Sequence, residues 1–301
     1  MSACNCFLGT TGAPFRIPSE IDSQPITVEN TVEQNQTPWQ LRMFQKTLKK
    51  QMRYEVLKDH LGPVGKDEKC LLLTCGDNNG AMNYYLRELG GEWSWADLEG
   101  FCIPEMSELL DDEVKHAGKD HLPFPDTSFD RVISIDVHEH LEDPGSITAE
   151  LHRVTKPGGQ VIITVPNGDE TKLAVKMKHA VGMTKEKYGH VRVGLQLPEL
   201  RRLMSENRIE PCKESTFSRF FTELLELTIN YAYVMVLAKK SKAKVEEGQI
   251  APATKDQVKS VEKTFKIYSL IYPVYALLSK LDQLLFFTEG YVVVVEGRRA
   301  A

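Results

Sequence analysis

The 301-residue sequence predicts an α/β fold built on a doubly wound parallel sheet. Three observations carry that prediction. Apolar periods of two and of 3.6 alternate from about residue 70 to 215. The run "CLLLTC" (70–75) is uninterrupted, as expected for a central strand buried on both faces. It passes directly into "GDNNG" (76–80) and then into a helical pattern, the strand–turn–helix order of a ligand-binding crossover.

Taken in order, residues 1–36 are polar and rich in Ser, Thr, Asn and Gln, and are expected to form a flexible arm. "TPWQLRMFQKTLKKQMRYEVLKDHLG" (37–62) predicts one helix, with Thr37 able to cap it, Pro38 at its first position and Gly62 after its end. Trp39, Leu41, Met43, Phe44 and Leu48 give it an apolar side, suited to packing on the sheet or to covering a ligand site, with packing the simpler role. Helices follow in "AMNYYLREL", "IPEMSELLDDEV", "PGSITAELHRVT" and "LPELRRLMSEN". Strands are expected in "EWSWADLE", "FDRVISIDV", "GGQVIITVPN" and "IEPCKESTFS". Two aromatic-rich helical stretches, around 217–238 and 258–287, come next, separated by the polar "KKSKAKVEEGQIAPATKDQ"; Pro273 should kink or divide the second. "GYVVVVEGRR" closes the chain as a strand. The expected organisation is an arm (1–36), a core with its leading helix (37–216), a helical insertion (217–289) and a final core strand (290–301).

With 42% apolar residues, 8% aromatics and a formal net charge of −5, the composition is that of a globular protein with no global affinity for nucleic acid. The six cysteines, Cys4, Cys6, Cys70, Cys75, Cys102 and Cys212, lack a repeated C-x-x-C spacing, which fits a reduced cytoplasmic chain. The start "MSACNCFLGTTGAPF" has neither a basic region nor a long apolar stretch. No apolar run reaches the roughly 18 to 20 residues that span a bilayer. A soluble chain is expected, with association to a membrane surface left open by the last eighty residues.

The glycines at 76 and 80 are spaced G-x-x-x-G, which is not the dinucleotide fingerprint. Gly76 follows the strand where a side chain would obstruct a ligand, and Gly80 lies where the next helix starts, with N–H groups that favour a negative group. A turn needing glycine for its geometry alone is the competing reading. Asp97 and Glu99 follow Gly76 by 21 and 23 residues, so one of them should stand at the tip of the adjacent strand, where a carboxylate accepts hydrogen bonds from ribose hydroxyls. They share strand parity, and which points inward stays open.

With "LLLTCGDNNG", "WADLE", "LPFPDTSFDRVISIDVHEHLEDP" and "ELHRVTKPGGQVIITVPN" in this order, residues 70 to 215 resemble a class I S-adenosylmethionine-dependent methyltransferase, close to the small-molecule group called type 11. The resemblance implies a Rossmann-like sheet of seven strands with the seventh antiparallel, and S-adenosylmethionine across the strand ends. It places the methionine end near Thr74, Cys75, Gly76, Asn78 and Gly80, and the ribose on Asp97 or Glu99, around Leu98. Asp120 or His121 would lie near the adenine, and Asp136 and Val137 at the end of the fourth strand. The chain departs from the family pattern at Thr74 and Asn78, which replace glycines, and the acid usually preceding L-P-F is out of register.

Methyl transfer from a sulfonium depends chiefly on alignment, which can contribute on the order of 7 to 11 kcal/mol. A general base adds about 100 to 10,000-fold when the acceptor is a hydroxyl. "DVHEH" offers Asp136, His138, Glu139 and His140. Asp136, His138 and His140 share parity if the strand continues, which permits a base or a metal set like that of ubiquinone-pathway O-methyltransferases. In the alternative, Glu139 and His140 hold the turn and His138 takes an apolar residue's place. His190, in "KYGHVRVG", faces the acceptor in this group or is an ordinary loop histidine.

The inserted helices suit a lid over an apolar acceptor, a membrane-surface element, a homodimer contact or a cover for their own core. Lys239, Lys240, Lys242 and Lys244 after the first helix suit an anionic lipid surface or a basic linker equally. The resulting expectation is methyl transfer to a small, apolar or lipid-like acceptor, most plausibly at oxygen. The alternative is a non-catalytic scaffold or lipid-binding partner of the same fold.

Overall fold

The computed structural model describes residues 37–76, 78–232 and 255–300. The expected arm with Cys4 and Cys6, Asp77, and the segment holding Lys239, Lys240, Lys242 and Lys244 lie outside the described residues. Seven strands form one sheet: β1 (Lys69–Thr74), β2 (Glu92–Asp97), β3 (Val114–His116), β4 (Phe129–Ile135), β5 (Thr155–Pro166), β6 (Ile209–Phe217) and β7 (Val292–Arg299). Their spatial order is β3-β2-β1-β4-β5-β7-β6, and β7 runs antiparallel to both β5 and β6. The order reverses between β1 and β4, the point at which such sheets open a crevice beyond the strand ends.

Helices cover both faces: α1 (Trp39–Phe44), α2 (Leu48–Leu61), α3 (Ala81–Arg87), α4 (Ile103–Leu110), α5 (Pro144–Val154), α6 (Leu173–Ala180), α7 (Leu197–Glu206), α8 (Phe220–Tyr231) and α9 (Lys255–Ser279). Successive strand residues enter opposite layers because the side-chain period is two. Leu71, Leu73, Val161 and Ile163 pack with Leu151 of α5 and Met204 of α7. Leu72, Ile133, Ile162 and Val294 pack with Leu57 of α2, Leu86 of α3 and Met106 of α4. The buried valines of β7 serve both layers, which explains the unbroken "VVVV".

Several expectations need correction. The leading helix is two helices, not one: Thr47 is extended (φ −110°, ψ 96°) and its hydroxyl donates to the Met43 carbonyl at 2.9 Å. Pro38, not Thr37, holds the N-cap position, and Trp39 rather than Pro38 is the first helical residue. Helix α4 ends at Leu110, because Asp111 turns left-handed (φ 49°), and Val114 begins β3 rather than ending a helix. Helix α6 occupies part of a stretch expected to be loop; its Ala174 N–H donates to the Tyr291 hydroxyl at 3.0 Å, a tertiary contact with no local signal. Pro273 lies within the single 25-residue helix α9 and does not divide it.

Helix α2 runs from the carboxyl ends of the strands to their amino ends. Near its end His60 Nε2 lies 2.8 Å from Ser215 Oγ and its Nδ1 3.3 Å from Glu296, while Arg131 donates to the carbonyls of Leu61 and Pro63. Its other end pairs Arg53 with Asp136, just past β4. Among the described residues no helix is long and apolar enough to cross a membrane.

Candidate functional site

The loop after β1 is organised by Asp97. Its carboxylate, with no exposed surface, accepts from the Thr74 hydroxyl at 2.5 Å and from the N–H groups of Gly76 and Glu99 at 3.0 and 2.8 Å. Burial raises its pKa, and these three hydrogen bonds oppose the rise. Asp97 is thus held by the loop's own donors, while Glu99, two residues on, is exposed. A Cβ on Gly76 would come 3.1 Å from Glu99 Cγ and 3.3 Å from Phe101, and Gly76 has φ +67°. Glycine there allows the tip of β2 to close against the loop.

The start of α3 also differs from expectation. The Asn78 side chain accepts from Gly80 N–H at 3.1 Å and donates to Asn83 at 2.8 Å, and Asn79 accepts from Ala81 N–H at 3.2 Å. Those N–H groups, expected to attract a ligand anion, are occupied by the chain's own amides. Asn78, at one of the missing-glycine positions, and its neighbour Asn79 thus build a self-capped turn.

The positive group near this loop comes instead from α2. Arg53 is 7% exposed and ion-paired with Asp136. Asp136 adopts a left-handed backbone (φ 48°), and its buried Oδ1 has no partner among the described residues. Asp136 shares this left-handed conformation with Asp111, Thr127, Arg208 and Ser218 among the described residues, and is the one of them that lines both of the cavities that meet here. A cavity of about 70 Å³ lies here, between Met43, Thr47 and Arg53 on one side and Thr74, Cys75, Asn78 and Asp136 on the other. Cys75 is buried, which pushes its thiol well above the ordinary range and keeps it neutral. The sequence carried a signal for Arg53: it shares the helical face of Val56, Leu57 and His60, where an unpaired cation has no place.

A second cavity, of about 470 Å³, shares Met43, Thr47, Lys50, Arg53, Cys75 and Asp136 with the first. Its far wall is built by Ile229, Phe265, Tyr268, Ile271 and Tyr275 from α8 and α9. Lys46, Lys49, Lys178 and Lys185 bring cations to its other walls. Glu223, fully buried, takes Lys178 at 2.5 Å and Lys49 at 2.7 Å. Burial alone would raise that carboxyl, but the two ammonium groups hold it well below its ordinary range.

The "HEH" turn (138–140) is a 3₁₀ turn, not a continuation of β4, so the parity argument fails. His138 has no exposed surface and faces α5: its Nε2–H donates to Thr148 Oγ1 at 3.1 Å, whose own hydroxyl donates to Pro144. Burial lowers its pKa to about 3, and it lines neither of the two cavities. The set Asp136, His138 and His140 is not assembled. The structure instead brings Glu139, His140 and His190 together, one potential ligand atom from each within 4.8 Å of the others. The Glu139 carbonyl accepts from Val191 N–H at 2.9 Å and His140 Nδ1 donates to the Gly189 carbonyl at 3.0 Å, which fixes the His190 loop. The two rings meet edge to face at 4.6 Å. Burial lowers His190 to about 3, helped by His140 and nearby lysines. Burial, then Asp136, raises Glu139 well above its ordinary value, and neither carboxyl oxygen has a hydrogen-bond partner among the described residues.

The remaining candidates lie outside this cluster. Val137 is buried beneath the turn, and Leu98 is buried in the core. Asp120 and His121 are exposed, with His121 Nδ1 3.3 Å from Glu150 of α5.

A family model described as a methyltransferase domain matches residues 73–163. The tRNA U34 carboxymethyltransferase of Nautilia profundicola is 28% identical over 131 residues, 40% of this chain and 41% of that protein. Phosphoethanolamine N-methyltransferase 2 of Caenorhabditis elegans is 32% identical over 72 residues, 23% of this chain and 16% of that protein. An uncharacterized methyltransferase of Schizosaccharomyces pombe is 58% identical over 40 residues, 13% and 14% of the two chains. The chain thus spans less than half the length of these relatives. Among solved structures, the cyclase SpnF superposes with a TM-score of 0.52 at 14% identity, over 84% of this chain and 82% of that one. A candidate methyltransferase from Haloferax volcanii, solved with the activator Trm112, gives 0.51 at 15% identity over 86% and 94%. At such identities the likeness is one of fold.

Proposed function

We propose, from the premise that residues 73–163 are a methyltransferase domain on a class I S-adenosylmethionine-dependent methyltransferase fold, that the chain methylates a small, apolar or lipid-like acceptor at oxygen. The observation that carries this reading is the junction of the two cavities at Asp136. The smaller adjoins the cofactor loop, and the larger has an aromatic wall and a cationic one. S-adenosylmethionine supplies the methyl group as an electrophilic sulfonium methyl.

The chain's residues fit that donor. Glu99, exposed just past β2, is the carboxylate that would accept from the ribose hydroxyls, and the Asp136 oxygen with no partner among the described residues, beside Arg53, offers a carboxylate and a cation to an amino-acid zwitterion. His140, whose Nδ1 donates to the Gly189 carbonyl, and His190, kept neutral near pH 7 by burial, line the same cavity. Either imidazole can take the acceptor proton as oxygen attacks. Tyr268, Tyr275 and Ile271 exclude water from the acceptor's apolar part.

Incubation with methyl-labelled donor and a panel of hydroxyl-bearing amphiphiles should place label in the organic extract. His190→Ala should reduce it about 100-fold. Donor binding without transfer would contradict the enzyme reading and favour the non-catalytic scaffold. The Glu139, His140 and His190 cluster favours a second reading, in which a divalent cation orients the acceptor oxygen. Transfer lost to a chelator and restored by a divalent cation would select it.

A further inference from the structure

We propose that the outward face of α9 and the turn after it dock on an anionic lipid surface, so that the larger cavity takes its acceptor from that layer; the second clause rests on the methyl-transfer reading above. Ile267, Leu270, Val274, Leu277, Leu281 and Leu284 follow one another at steps of three and four, and all are exposed, Leu270 by 81%. At about 1.5 Å per residue they make an apolar stripe roughly 25 Å long. Phe286 and Phe287, exposed by 63% and 73%, extend it beyond the helix.

The opposite face of α9 is fastened inward. The Tyr268 hydroxyl donates to the Lys46 carbonyl at 2.5 Å and that of Tyr275 to Leu225 at 3.2 Å, while Gln51 donates to the Tyr272 hydroxyl at 2.8 Å. The stripe is therefore held outward by the protein's own contacts and is no frayed end. An apolar face of this size on a single chain calls for an occupant.

Charge selects that occupant. Between residues 263 and 288 the charged side chains are Lys263, Lys266, Lys280 and Asp282. The three lysines are exposed, whereas Asp282 is buried and accepts from the N–H groups of Arg219 and Phe221 at 2.7 and 2.8 Å. The exposed acids Glu262 and Glu289 lie just beyond the two ends of the stripe, and Glu262 pairs with Lys266 at 3.0 Å, which leaves Lys263 and Lys280 as the cations that complement anionic headgroups.

The stripe also adjoins the cavity. Ile267 and Ile271 are exposed by 65% and 46% and at the same time line the 470 Å³ cavity, so its mouth opens beside the apolar face. An amphiphile could pass from the lipid layer across these two residues without its chain entering water.

The test is sedimentation of the full chain with phosphatidylcholine vesicles, with and without phosphatidylglycerol, for the wild type and for the double variant Leu270→Glu and Leu277→Glu. Both leucines are exposed, so the variant should keep its melting temperature and donor affinity. The expected result is binding that depends on phosphatidylglycerol and falls by about tenfold or more in the variant. Absence of wild-type binding, or binding indifferent to the two substitutions, would overturn the proposal. So would a concentration-dependent dimer that the variant abolishes while vesicles bind neither protein. Vesicle binding that responds to the substitutions, with no methyl label reaching any acceptor, upholds the docking and refutes the methyl-transfer reading instead.

Discussion

Asp97 and Glu99 stand two positions apart at the end of one strand, and their surroundings give them different work. Asp97→Asn should cost about 1–3 kcal/mol of stability, because it disturbs a buried acceptor of three hydrogen bonds. Glu99→Ala, at an exposed position, should leave the melting temperature unchanged. The sequence could not separate the two, since both have the parity of β2; the strand ends at Asp97, and parity has no meaning beyond it. The same failure misplaced His138, three residues past the end of β4. His138 and His190 both have pKa values near 3 in the fold, below the unfolded value of about 6.5. Their contribution to stability is full above pH 6.5 and is lost as pH falls toward 3, by at most about 1.4 kcal/mol per pH unit for each. Urea melts across that window should show a shallower slope in His138→Asn. Glu139 has the opposite sign: its pKa is raised, so its burial costs stability as pH rises above the ordinary carboxylate range. Glu139→Gln should therefore be more stable than the wild type at pH 7, in the same melts.

At the scale of elements, α8 is fixed to the core through one carboxylate. Glu223 joins Lys49 of α2 to Lys178 of α6, and the Ser218 hydroxyl donates to it at 2.5 Å. Glu223→Ala leaves two largely buried ammonium groups without their counter-ion and should cost about 3–5 kcal/mol, measured by chemical denaturation. Faster amide exchange in α8 than in β4 would accompany the loss. Helix boundaries in this region were legible where local chemistry set them, as with Gln196 and Glu199, whose reciprocal bonds cap α7. They were not legible where a distant residue did so. The start of α8 is capped by Asp282, about sixty residues later in the chain, and α6 is held by Tyr291.

Across the whole molecule, the succession of strands and helices was legible because it rests on burial, whereas the reversed seventh strand was expected only from the family resemblance, since burial does not set a strand's direction. "CLLLTC" and "VVVV" are apolar on both faces, and the helices between them carry one-sided patterns. The candidate site was legible in its location and less so in its membership. Cys75, Asp136, His140 and His190 line one cavity, whereas Arg53 enters it from a leading helix that no motif covers. That helix does both jobs considered for it, packing its Val56 and Leu57 on the sheet while Arg53 and Thr47 wall both cavities. The central claim, a donor site closed by α2 at the strand ends, is tested most directly by calorimetric titration of S-adenosylmethionine into the wild type, Arg53→Ala and Glu99→Ala. The account predicts saturable binding to the wild type and about a tenfold loss of affinity or more in each variant, from one charge-assisted hydrogen-bond set removed. No binding to the folded wild type, or equal affinity in all three proteins, would contradict it.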